Sequence, residues 1–244
     1  MGNCCPRRPL SAADFTWGQL ATHNVLRRSV QQIMRASPPS GSSNSFMVYV
    51  DLFRRFLVTH HHQEDRFIFP EARDKSGNAK LLEREEKEHA ELGPLLEELA
   101  GLCAKAVGSK SDVVEEVDTT IRQVKTCVGR IGEILEGHLA REEACLTEAF
   151  YGAHWDAMGL RALSTKIHDL IPEFMEKNIS LVYLVYHLTD EEKVFFDTRL
   201  PWILRSILIP RWASRCDLEV WSFAPHPRFD ANGNAAYWGT SMHS

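Results

Sequence analysis

Four long stretches of this chain carry apolar residues at helical spacing, and almost nothing alternates as a strand would. Turn-rich breaks separate them: SPPSGSSNS (37–45), RDKSGN (73–78), VGSKSD (107–112) and YGAH (151–154). The spacing predicts helices over 14–35, 46–69, 78–104 and 113–149. Long helices with short connections predict an all-α, up-down-up-down four-helix bundle over residues 12–150. Gly93-Pro94 lies inside the third helix, where a proline removes a hydrogen bond and crowds the preceding turn, so a kink or break is expected there.

Helical phase then sorts the polar residues, each position turning the direction by about 100°. With His60 as origin, Phe46, Tyr49, Phe53, Phe56, Leu57 and Phe67 share its face and Glu64 follows one turn on. Asp51, Arg54, Arg55, His62 and Asp65 fall on the outer side, and His61 lies on the boundary. The fourth helix repeats the pattern: His138 and Glu142 share the face of Val124, Cys127, Val128, Ile131, Ile134 and Leu135, while Arg122, Lys125, Glu133, Glu136 and Glu143 point away.

A carboxylate in an apolar stripe costs several kcal/mol unless a cation or several donors meet it. A single His–Glu pair is also what a hydrogen-bonded core would show; two such pairs on separate helices point to a metal. His89, with Glu85 one turn earlier, faces inward on the third helix beside Leu82, Leu92 and Leu96, and His23 sits at the edge of the first helix's stripe. Around the turn near 74–75 the pairs 60/64 and 85/89 fall at one level, whereas His138 lies farther from its turn than His89, so part of 100–120 must bulge, kink or extend past the bundle.

Spaced as His23, His60xxxGlu64, His89 and His138xxxGlu142, with FIFP after the second, the chain resembles a hemerythrin-like (HHE cation-binding) domain over about 12–150. That resemblance implies two iron ions inside the bundle, His23 and His60 as terminal ligands of one and His89 and His138 of the other. Glu64 and Glu142 would bridge them together with an oxo or hydroxo group; manganese or a mixed pair is the alternative metal. Oxygen-carrying relatives have HxxxH on the third helix where this chain has Glu85xxxHis89, so Glu85, His61 or water completes the second ion. Imidazole and carboxylate both suit iron, and a carboxylate favours its ferric state, which leads to the expectation of a non-haem di-iron protein that binds and activates dioxygen or peroxide, as an oxygenase or oxidase on a small apolar substrate. The rival expectation is an iron or oxygen sensor without catalysis.

The remaining sequence adds bounds. A net charge of −5 gives no reason to expect nucleic acid as a partner. No run of about 18 uncharged apolar residues exists to form a membrane span, and six scattered cysteines without a secretory leader suggest a reducing, cytoplasmic setting. MGNCCPRR places Gly2, Cys4 and Cys5 where acyl chains attach, although Pro6 departs from the usual myristoylation pattern. Acylation would give peripheral membrane attachment; a tail over 1–11 is the plainer expectation. Residues 151–225 form a helical extension similar to that of longer eukaryotic HHE proteins, with Trp202, Ile203, Leu204, Ile207, Leu208, Ile209 and Trp212 as its expected packing surface and Thr189 as a helix start. His154, His168 and His187 lack a carboxylate at ligand spacing, so structural or surface roles are expected. Residues 226–244 read as an irregular tail.

Overall fold

The computed structural model describes residues 9–108, 114–197 and 200–226. Gly2, Cys4 and Cys5, and all but the first residue of the tail at 226–244, lie outside them. The described residues are helical, with α1 at Ala12–Arg35, α2 at Ser43–Gln63, α3 at Phe69–Ser76, α4 at Glu83–Gly108 and α5 at Val114–Cys145. After these come α6 (Glu148–His154), α7 (Ala157–Leu170), α8 (Lys177–His187), α9 (Asp190–Asp197), α10 (Ile209–Ala213) and α11 (Leu218–Ser222). Ser11 opens α1 with a capping box to Asp14, and Thr189 opens α9 by exchanging hydrogen bonds with Glu192.

Several helix ends differ from those expected. The second bundle helix does not stop at 69: a π-helical turn over Glu64–Ile68 carries it into α3. Pro70 has no N–H to give and its ring crowds the carbonyl four residues back, and the wider turn accommodates both. The same construction recurs at Leu204–Leu208, again with a proline, Pro210, two residues beyond. The inserted residue also resets the phase, so the inward stripe resumes at Phe69 and Ala72. The third bundle helix starts at Glu83 rather than 78, after a turn from Gly77, whose φ of 68° caps α3 in the left-handed region that glycine adopts freely. It is not broken at Gly93-Pro94, since α4 runs through both. The fourth helix ends at Cys145. Of the stretch 100–120, expected to absorb the level mismatch, α4 covers 100–108 and α5 covers 114–120, and 109–113 lie outside the described residues.

In the bundle, α4 packs against α2 and α5, and α1 against α5. Gly132 permits that last approach: a Cβ there would come within 2.8 Å of Val30. The seam between α1 and α2 is the loosest of the four, and α8 sits over it. Tyr183, Tyr186 and His187 of α8 are fully buried. Tyr183 donates to Ser29 Oγ of α1 at 2.7 Å, and His187 meets Tyr49 of α2 at 2.8 Å. The extension's packing surface therefore differs from the one expected: Val182, Tyr183, Val185, Tyr186, Val220 and Trp221 are buried, whereas Trp202, Ile203 and Ile207 are exposed. Of the expected set, Ile209 is buried and Trp212 packs partly against the core.

Apolar packing forms two clusters. One holds the lower bundle with α8 and α11; the other closes the opposite end with Ile68, Phe69, Leu82, Leu146, Tyr151 and Trp155. Between them, on all four bundle helices, lies a buried polar layer.

His187 has its Nδ1 2.7 Å from the Tyr183 carbonyl, which can only accept, so Nδ1 carries the hydrogen and Nε2 accepts from the Tyr49 hydroxyl. Burial pushes its pKa down to about 3. An unfolded histidine titrates near 6.5, so below about pH 6.5 the unfolded chain takes up a proton that the folded chain refuses, and stability falls as pH drops. This one group is expected to contribute a slope of up to about 1.4 kcal/mol per pH unit. His187→Phe should remove that slope in urea unfolding between about pH 6.5 and 4, at a baseline cost because Tyr49 loses its acceptor.

Candidate metal centre

The polar layer is built from one histidine on α1, two histidines and a glutamate on α2 and its π turn, one histidine on α4, and a histidine with a glutamate on α5. His23, Glu64, His138 and Glu142 are fully buried, and His60, His61 and His89 nearly so. Their ligand atoms converge into three groups: His23, His60, Glu64 and Glu142; Glu64, His89, His138 and Glu142; and His61, His89 and His138. The six core residues expected from sequence are thus brought together, and His61 joins them.

The two carboxylates are shared in a regular way. Glu64 turns Oε1 towards His60 Nε2 (3.1 Å) and His23 Nε2 (3.9 Å), and Oε2 towards His89 Nε2 (3.5 Å). Glu142 turns Oε2 towards His23 Nε2 (3.4 Å) and Oε1 towards His138 Nε2 (3.2 Å). Each carboxylate therefore offers one oxygen to each of two neighbouring subsites. Both oxygens of both glutamates, together with Nε2 of His23, His60 and His61, are buried without a hydrogen-bond partner.

Outer carboxylates fix the rings. His23 Nδ1–H donates to Glu143 (2.9 Å), His89 Nδ1–H to Asp65 (2.7 Å) and His138 Nδ1–H to Glu88 (3.3 Å). With the hydrogen held on Nδ1, Nε2 turns its lone pair towards the centre, the form that binds a metal; His23 Nε2 has no partner there, and His89 Nε2 and His138 Nε2 lie 3.1 Å apart. Asp65 and Glu143, which phase assigns to the outer side, thus reach histidines on neighbouring helices. Each immediately follows a shared carboxylate, in the doublets Glu64-Asp65 and Glu142-Glu143. The first acid of each doublet points inward and the second reaches sideways.

Charge follows the same logic. Burial opposes ionisation of Glu143, yet hydrogen bonds from His23 and from Arg27, at 2.6 Å, hold it down at about 2. Burial, reinforced by neighbouring imidazoles, pushes His60 and His61 well below the usual histidine range, so both are neutral. Burial also opposes charge on His138, but its contacts with Glu142 and Glu88 raise it. Burial and then the adjacent Glu142 push Glu64 well above the usual carboxylate range. Two buried carboxylates facing each other demand a positive charge between them, and neutral imidazoles with unpartnered nitrogens are suited to surround one.

Glu85, the other residue considered for the second subsite, is buried but belongs to none of the three groups. Arg141 of α5 engages it at 2.8 Å and contacts Glu88 as well. His62 has Nδ1 on the Val58 carbonyl and its ring against Phe174, away from the centre. Of the extension's histidines, His168 is exposed and His187 is part of the Tyr49 contact. Tyr151 of α6, which phase arguments did not single out, is fully buried and feels the charges of Glu64 and Glu142. Its hydroxyl donates to Gln19 Oε1 at 3.0 Å, one turn before His23.

A family model described as the hemerythrin HHE cation binding domain matches residues 19–144. No curated protein and no solved structure matches the chain. Asp65→Ala or Glu143→Ala is expected to lower divalent-metal affinity about 10–100-fold by freeing a ligand ring, as measured by competition with a chromophoric chelator.

Proposed function

The chain belongs to the hemerythrin HHE cation-binding family, and on that footing we propose that it holds two iron ions and uses them to activate dioxygen or peroxide against a small substrate. The observation that carries this reading is the division of the Glu64 and Glu142 oxygens between two subsites. His23 and His60 would hold one ion, His89, His138 and His61 the other, and the two glutamates would serve both. Five imidazoles and two carboxylates suit iron or a mixed iron–manganese pair better than zinc, whose structural sites are closed tetrahedra. When bound, such a pair supplies electrons and Lewis acidity to dioxygen or peroxide.

The chain's own residues do the rest. Glu143, Asp65 and Glu88 orient the imidazoles, and the two apolar clusters keep bulk water from the layer. With Glu85 engaged by Arg141, a carboxylate replacing the third-helix histidine drops out as the reason to expect oxygen activation. Support comes instead from a cleft that opens onto the second subsite at His61 and His89. The burial of α8 and α11 in the bundle core favours a fixed wall over a sensor segment released on metal loss.

Metal analysis of the purified chain should find two irons. Glu64→Ala is expected to lose both and His61→Ala to lose one, whereas Glu85→Gln should keep both. Reversible dioxygen binding by the reduced protein over repeated cycles, without oxidation of any added substrate, would sink the catalytic reading.

A further inference from the structure

Between α2 and α4 the surface opens into a cleft of ≈ 450 Å³, within the range of small-molecule sites. His61 and His89 line it and are only 4% and 7% exposed, so their rings form its floor. Its walls are apolar and small, chiefly Val58, Ala90, Gly93, Leu96 and Ala100. A Cβ built on Gly93 would meet nothing within 4 Å, so the wall is hollow there.

The charges around this cleft are unbalanced. Arg54, its one formal cation, is paired with Asp51 at 2.7 Å, and Glu86 is paired with Arg73 at 2.6 Å. Asp65 accepts a hydrogen bond from an imidazole of the centre. Glu97, exposed at the cleft, has no ion-pair or hydrogen-bond partner among the described residues. Glu97, Gly93 and His89 follow one another along α4 at four-residue steps, which sets the acid about 12 Å from the floor. An acidic mouth, an apolar shaft and a histidine floor complement a molecule with a cationic end and an apolar body, and repel an anion.

We propose that this cleft binds a small organic amine, its ammonium at Glu97 and its apolar body along Gly93 and Leu96, directed at His61 and His89. As a binding site the cleft stands without metal; as the substrate's way to the centre it rests on the di-iron reading above.

The test titrates the metal-free full chain with phenylbutylammonium, phenylbutanol and phenylbutyrate, molecules of one shape and three charges, by calorimetry and ligand-observed NMR. The ammonium is expected to bind best, and the carboxylate at least about 10-fold more weakly. Gly93→Phe should fill the shaft and abolish binding while leaving helicity and thermal midpoint unchanged. Glu97→Gln, on the surface and safe for folding, should raise the ammonium Kd about 3- to 5-fold and leave the alcohol's unchanged. Equal or tighter binding of the carboxylate, or undiminished ammonium binding by a folded Gly93→Phe chain, overturns the proposal. Iron in the wild type without ammonium binding overturns the cleft alone; ammonium binding without iron supports the cleft and overturns the di-iron reading.

Discussion

Seven buried nitrogen and oxygen atoms, on His23, His60, His61, Glu64 and Glu142, meet in one layer with no hydrogen-bond partner among the described residues. Buried polar atoms left unpaired cost free energy, and facing carboxylates cost more. A fold that tolerates such a layer must compensate by packing above and below it, and the two apolar clusters occupy those positions. Bound cations remove the penalty rather than add an ornament, so metal binding and stability are coupled in this chain. The outer acids fix the orientation of three of the rings, and Arg27 and Arg141 in turn hold Glu143 and Glu88.

Phase made His60, Glu64, His89, His138 and Glu142 legible because each sits within an apolar stripe, whereas His23, at the edge of its stripe, was legible through the family spacing. His61 was ambiguous for a geometric reason. It lies about 100° from His60, which is close to the centre of the stripe, and it is buried because the stripe is wide: Thr59 and Met47, at about 100° and 140° on its two flanks, are buried as well. The role of Glu85 was illegible because it depends on Arg141, 56 residues away. The outer acids did leave a local sign, the repeated acidic doublet, which phase alone cannot interpret because the second acid reaches a neighbouring helix. The expected end of the second helix at 69 coincides with Pro70, but the π turn before it lets the helix continue to Ser76.

The extension illustrates a different limit. Apolar content pointed to the 202–212 stretch, yet the wedge is α8, whose tyrosines and histidine combine bulk with polar ends. Tyr49, Tyr183, His187 and Ser29 can be buried together only because each finds its partner across α1, α2 and α8. Such matching is a property of three helices at once, and no one segment shows it.

The ligands are distributed unevenly over the bundle. The second helix and its π turn contribute three, α5 two, and α1 and α4 one each. In the proposed centre α4 is therefore fastened to the metals through His89 alone, and it is also the helix that borders the cleft and carries Gly93-Pro94. Packing makes up for that single ligand: α4 has the most extensive seams of the bundle, against α5 and α2, so the position of His89 is set by helix packing, while α2 and α5 carry most of the ligation.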